Sequence, residues 1–176
     1  MNPIMKLISP SVRARAKARA DDFNDDNPYT WREIPGRFLG FLGEEVVFDW
    51  LSVFDDVERS DGNPNYDCIF RGVKIDVKTK ERNYRPRSDF EMSVTTAGMG
   101  LNQQCDVYLA VSVNPTTDYK EIWIVGWITK QDFLDKCKFF EKQGQWSNIP
   151  SDRYNVEFRY LNDPGEIGLI HMPTVG

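Results

Sequence analysis

The sequence predicts a mixed α/β fold with one central sheet. Three observations carry this reading: an apolar helical segment at 35–54, a hairpin at 66–80, and two apolar strand runs at 106–113 and 121–129. Helix and strand signals interleave along 176 residues, enough chain for one domain with a sizeable core.

Residues 1–30 are polar and are expected to form an arm or loosely attached helix, outside a single domain spanning 31–176. Pro35 suits the first turn of a helix. The segment it opens, "PGRFLGFLGEEVVFDWLSVF", is apolar on most faces, as a helix buried in a small domain is. "DVERSDGNPN" is a turn-rich link with a short strand near Val57. After the hairpin, residues 81–104 read as irregular and then helical up to Gln104. "DVYLAVSV" and "EIWIVGWIT" are buried strands joined by the turn "NPTTDYK". "KQDFLDKCKFFEKQG" is predicted as an amphipathic helix, with Phe133, Leu134, Cys137 and Phe140 at helical spacing. Thr129 is its N-cap and Gly144 its stop. "RYNVEFRYL" is the last strand.

Composition removes several chemistries. Three widely spaced cysteines give no disulfide framework and no CxxC knuckle. A single histidine, His171, excludes a zinc site built on several histidines and any mechanism needing two. Catalysis would therefore rest on carboxylates, lysine and a hard cation. No apolar run reaches the ~18 residues of a membrane span. The net charge is −5, yet it is segregated. "SVRARAKAR" is wholly basic, and 71–87 holds seven Lys or Arg against Asp76 and Glu81. Local basic surface can meet phosphate even on an acidic protein.

With Arg71-Gly72 as a two-residue turn, "YDCIFRGVKIDVKTK" folds so that Tyr66, Cys68, Phe70, Val73, Ile75 and Val77 form one apolar face. Asp67 then stands opposite Asp76 on the other face, with Lys78 and Lys80 following. Opposed carboxylates at about 5 Å repel unless something positive lies between them. A divalent cation meets that need, with Lys78 at the edge. A second D-x-K, Asp118-Tyr119-Lys120, falls in a turn with no facing acid. On the preceding helix Glu44 points into an apolar sector, near Phe41, Phe48 and Leu51. Glu45 shares a sector with Asp49 and Ser52 that looks solvent-facing. A carboxylate directed inward needs a partner, so Glu44 is favoured as a further ligand. Its bland alternative is a salt bridge.

"GFLGEEVVFDWL", "YDCIF", "KIDVKTK" and "CDVYLAVSV", in that order, resemble the PD-(D/E)XK nuclease superfamily, over about residues 36–130 and most closely over 40–80. Tyr66 stands where the family name has Pro, and Gly40 to Glu44 match a GxxGE pattern. The resemblance implies a restriction endonuclease-like fold and Mg²⁺-dependent phosphodiester hydrolysis, with Mn²⁺ able to substitute. It implies that Asp67, Asp76 and the Val77 carbonyl bind the ion and that Glu44 completes the shell or holds a second ion. Lys78 would orient or deprotonate the attacking water, leaving 5′-phosphate and 3′-hydroxyl ends. Gln103 or Gln104 stands where some relatives place a glutamine, or serves a turn. Lys80, Arg82, Arg85 and Arg87 are candidates for phosphate contacts, and Tyr84 for stacking on a base. The expectation is a small phage or bacterial endonuclease acting on DNA, homodimeric and cytoplasmic. The alternative is a non-catalytic nucleic-acid-binding module on the same fold.

Overall fold

The computed structural model describes residues 2–23, 34–96, 100–142 and 152–170. The chain is mixed α/β. Strands β1 (Ile4–Leu7), β2 (Val57–Arg59), β3 (Cys68–Phe70), β4 (Val73–Glu81), β6 (Val107–Asn114) and β7 (Glu121–Thr129) make one sheet in the order β1-β7-β6-β4-β3-β2. β4 and β6 run parallel, and the other neighbours are antiparallel. Strands β5 (Glu91–Thr95), β8 (Lys138–Phe140) and β9 (Arg153–Glu157) form a second sheet, β5-β9-β8. No helix among the described residues is long and apolar enough to cross a membrane.

β6 explains the layering. All eight of its residues are buried, so it is covered on both faces. Leu109, Val111 and Val113 join a core with helix α2 (Ile34–Leu51), including Leu42, Val46, Val47 and Leu51. Tyr108 and Ala110 join a second core with Met92 and Val94 of β5, Val156 of β9, and Phe133 of helix α3 (Lys130–Lys136). α2 approaches the sheet closely because Gly43 lies against Thr79 of β4. A Cβ added to Gly43 would sit 2.0 Å from Thr79 Oγ1.

The hairpin turn forms where the sequence places it. Arg71 and Gly72 have φ of 50° and 79°, the left-handed pair of a type I′ turn. Phe70 pairs with Val73 and Cys68 with Ile75, as expected. Tyr66 differs: it packs with the second core, not with Cys68 and Phe70. β3 begins only at Cys68, so strand alternation does not extend to Tyr66.

Four expectations change. Residues 2–23 are not a loose arm, because β1 is an edge strand on β7 and helix α1 (Pro10–Asp22) packs Val12 and Ala16 into the α2 core, while 24–30 lie outside the described residues. Ser9 caps α1, accepting from Val12 N at 3.2 Å, and Pro10 opens it. The helix expected towards Gln104 is instead strand β5 followed by a short 3-10 turn at Gly100–Asn102. α3 stops at Lys136, Cys137 turns extended, and Lys138–Phe140 pairs with β9, which outweighs the helical spacing of Leu134, Cys137 and Phe140. The last strand ends at Glu157, where residues 158–160 form a 3-10 turn. Thr129 does cap α3, accepting from Asp132 N at 3.0 Å. Gly144 and His171 lie outside the described residues.

Candidate active site

β3 is short and β4 is long. Beyond Cys68, one flank of β4 therefore has no strand neighbour among the described residues, and polar side chains gather there. Asp67 N donates to Ile75 O at 2.9 Å, and Asp67 Oδ2 accepts from Val77 N at 2.7 Å. The carboxylate thus stands where a longer β3 would offer a carbonyl. Val77 N is satisfied, and Asp67 is fixed beside β4.

Asp76 is buried at 4% exposure. Lys78 Nζ lies 2.5 Å from Asp76 Oδ2 as an ion pair, although Oδ2 has no aligned hydrogen bond. Gln103 Nε2 donates to Asp76 Oδ1 at 2.9 Å and to Pro64 O at 3.2 Å, while Gln103 Oε1 accepts from Lys78 Nζ at 3.2 Å. Of the two glutamines, Gln103 thus meets the site. Gln104 is exposed, and its backbone N–H donates to Asn65 Oδ1.

Glu44 comes to the same corner from α2. Its Oε2 receives Arg19 Nη2 at 2.8 Å. Burial, then the charges of Asp76 and Asp61, push its carboxyl up to about 7 against the pull of Arg19. Burial and then the charges of Glu44 and Asp76 raise Asp67 well above the ordinary carboxylate range, against Val77 N–H and Lys78. Three carboxylates, one buried and two half-buried, thus influence one another's charge, and oxygen donors are the type a hard divalent cation prefers. Among the described residues no three acidic, histidine or cysteine side chains close into a ready-made cation cage. Lys78 and Gln103 hold Asp76, and Arg19 holds Glu44.

Glu45 is not on a solvent-facing sector: it has no exposed surface. Arg15 Nε donates to it at 2.7 Å, Arg19 Nη1 at 3.2 Å, and Arg59 Nη2 also pairs with it. Helical spacing on α2 could not reveal this, because the cover is another polar helix. The signal was the basic run itself, since Arg15 and Arg19 lie four apart on one helix face.

The basic candidates divide. Lys80 Nζ donates to Ser93 Oγ at 2.8 Å, and Arg82 Nη2 to Glu91 O at 3.1 Å, so both turn towards β5. Arg87 pairs with Asp89 at 2.9 Å and stacks on Phe90. Tyr84 and Arg85 are exposed. Asp118, of the second D-x-K, is held by Arg13 at 3.1 Å, away from any acid partner.

Comparison with protein-family models, curated proteins and solved structures returns no match.

Proposed function

We propose that this chain is a Mg²⁺-dependent deoxyribonuclease of the PD-(D/E)XK type, with a restriction endonuclease-like fold. One observation carries the reading: Glu44, Asp67 and Asp76, from a helix, a strand start and the neighbouring strand, lie near enough to raise one another's carboxyls, and Lys78 pairs with Asp76 on the open flank of β4. Asp76 Oδ2 is buried with only the Lys78 ammonium beside it, so a cation binding there would take the place of that ion pair.

The chain's groups have separate tasks. Asp67 and Asp76 offer oxygens fixed by Val77 N–H and Gln103. Glu44 adds a third oxygen, and the Val77 carbonyl is a backbone candidate. Lys78 Nζ, already at Asp76, orients the attacking water or takes its proton as the water oxygen bonds to phosphorus. The phosphorus–O3′ bond breaks, the O3′ atom takes a proton from solvent water as it leaves, and the phosphate stays on the 5′ side. Bound Mg²⁺ would activate that water and neutralise charge growing on the phosphoryl oxygens. Arg19 restrains Glu44 through a charge-assisted pair. A homodimer acting on both strands of duplex DNA in the cytoplasm belongs to the same reading.

A non-catalytic nucleic-acid-binding module is the second reading. What favours it is that both Asp76 oxygens already face protein partners, Lys78 and Gln103. One experiment separates the two. Wild type and Lys78→Ala are incubated with supercoiled plasmid, linear duplex and single-stranded DNA, in Mg²⁺ or in EDTA. Cleavage by wild type only, and only with metal, is expected. A folded wild type that cuts nothing in Mg²⁺ or Mn²⁺, and gains no thermal stability from either ion, overturns the nuclease.

A further inference from the structure

β4 does not end its polar face at Lys78. Lys80 follows on that face, about 7 Å along the strand. Its Nζ donates to Ser93 Oγ of β5 at 2.8 Å. Beside it in register on β6 is Ser112, with no exposed surface and an Oγ without a hydrogen-bond partner. Arg82 comes next, half-buried, with its Nε also lacking a partner. Glu91, which faces this group from β5, is already engaged by Asn155 Nδ2 at 2.7 Å. Lys80 and Arg82 are thus held partly inside the protein, among hydroxyls, with the charge of Arg153 also near and Glu91 the one carboxylate among the described residues that acts on both. Buried charge normally has its counter-charge, so this arrangement has capacity for an anion. Burial, and then the charges of Arg82 and Arg153, depress Lys80 to about 8, as crowded cations do.

Resting on the nuclease reading for its ligand, we propose that Lys80, Arg82 and Ser93, over the buried and unpartnered Ser112 hydroxyl, form an anion subsite that takes a second phosphate group of the substrate strand. Its distance from Lys78 is on the scale of one or two nucleotide steps. Lys80 and Arg82 supply charge and N–H donors to phosphoryl oxygens, and the Ser93 hydroxyl lies at hydrogen-bond distance from Lys80. The phosphate is either an internal diester or the monoester at a strand end, and both present the same oxygens.

The test uses the full chain in EDTA, so that binding is read without cleavage. Inorganic phosphate is the probe in thermal shift. The binding probes are duplex oligonucleotides with 5′-phosphate or 5′-hydroxyl ends, and closed circular DNA, across a salt series. Wild type is expected to gain stability with phosphate, and Lys80→Met to lose that gain. The slope of log affinity against log salt should fall in size by about 1 in Lys80→Met, which a purely structural lysine would not cause. Ser93→Ala should weaken phosphate binding with the slope kept, and it carries the test if Lys80→Met does not fold. A preference for 5′-phosphate ends that vanishes in the variants assigns the subsite to strand ends. Equal binding of ends and circles assigns it to internal phosphates. Wild-type phosphate shift and salt slope in folded Lys80→Met overturn the subsite, even if wild type cleaves DNA. A shift lost in Lys80→Met supports it, even if wild type cleaves nothing.

Discussion

Glu44 and Glu45 are adjacent on α2 and meet opposite surroundings. Burial pushes Glu45 up, but hydrogen bonds from Arg15 and Arg59 and the charges of Arg59 and Arg19 outweigh it and hold its carboxyl below the ordinary range. Burial dominates at Glu44, where Arg19 is opposed by Asp76 and Asp61, and the carboxyl rises to about 7. One carboxylate is compensated by the fold, and the other is left poorly compensated at the open flank of β4. Structural ion-pair networks and functional sites both perturb carboxylates. Here the two neighbouring carboxyls shift in opposite directions. Adjacent positions of one helix thus serve as clamp and candidate ligand, with Arg19 shared between the two.

The sharpest way to break this comparison is to neutralise each glutamate in turn. Glu45→Gln leaves Arg15, Arg19 and Arg59 around a neutral group. Breaking such a pair costs about 3–5 kcal/mol. Glu44→Gln should do the reverse to the metal-free protein. A carboxyl raised from 4.5 to about 7 binds more protons folded than unfolded across that window. Its contribution is complete below about pH 4.5 and is lost as pH rises towards 7, on the order of 3 kcal/mol in all. Urea titrations at pH 5 and pH 8 should therefore show wild type weaker at pH 8. Glu44→Gln should show a smaller loss, with Asp67 supplying what remains. The comparison fails if Glu44→Gln is as destabilised as Glu45→Gln at pH 8.

Gly43 sharpens the comparison from the packing side, with a smaller effect. It sets how near α2, and with it Glu44, comes to β4. Gly43→Ala would place its Cβ 2.0 Å from Thr79 Oγ1 and 3.0 Å from Thr79 Cβ. Overpacking of this kind costs about 1–3 kcal/mol, against a helix-propensity gain of up to about 1 kcal/mol. The urea midpoint should fall, and Thr79→Ala in the same chain should restore part of it. An unchanged midpoint would mean that α2 can slide, and that Glu44 is not held in place by this contact.

Much of this corner was legible in the sequence because local rules agree there. Arg71-Gly72 has turn chemistry, Cys68 to Phe70 and Val73 to Val77 have strand chemistry, and both fix one register. The run Glu121–Thr129 and its cap at Thr129 were equally readable. Glu45 was not, since hydrophobic periodicity reports what an apolar neighbour covers and is blind to an arginine-bearing helix. β8 was misread because Phe140 lies at helical spacing from Phe133, and only pairing with β9 reveals the strand. β5 and the N-terminal strand are short, and their partners lie far away in sequence.

The smallest predicted effect tests whether geometry or motif carries the reading. Asp118-Tyr119-Lys120 has the same D-x-K spelling as Asp76-Val77-Lys78. Asp118 has φ of 53° and Tyr119 φ of 57°, so the motif lies in a left-handed turn. Arg13 binds the Asp118 carboxylate, with the Asp118 side chain largely exposed and that of Arg13 partly so. Asn tolerates the left-handed region, so Asp118→Asn removes the charge without straining the turn. An exposed pair of this kind adds little to stability. No measurable change in melting temperature and unchanged plasmid cleavage are expected, while Asp76→Asn abolishes cleavage. Equal loss of cleavage in both variants would mean that the open flank of β4 is not the catalytic centre, whatever its charges suggest.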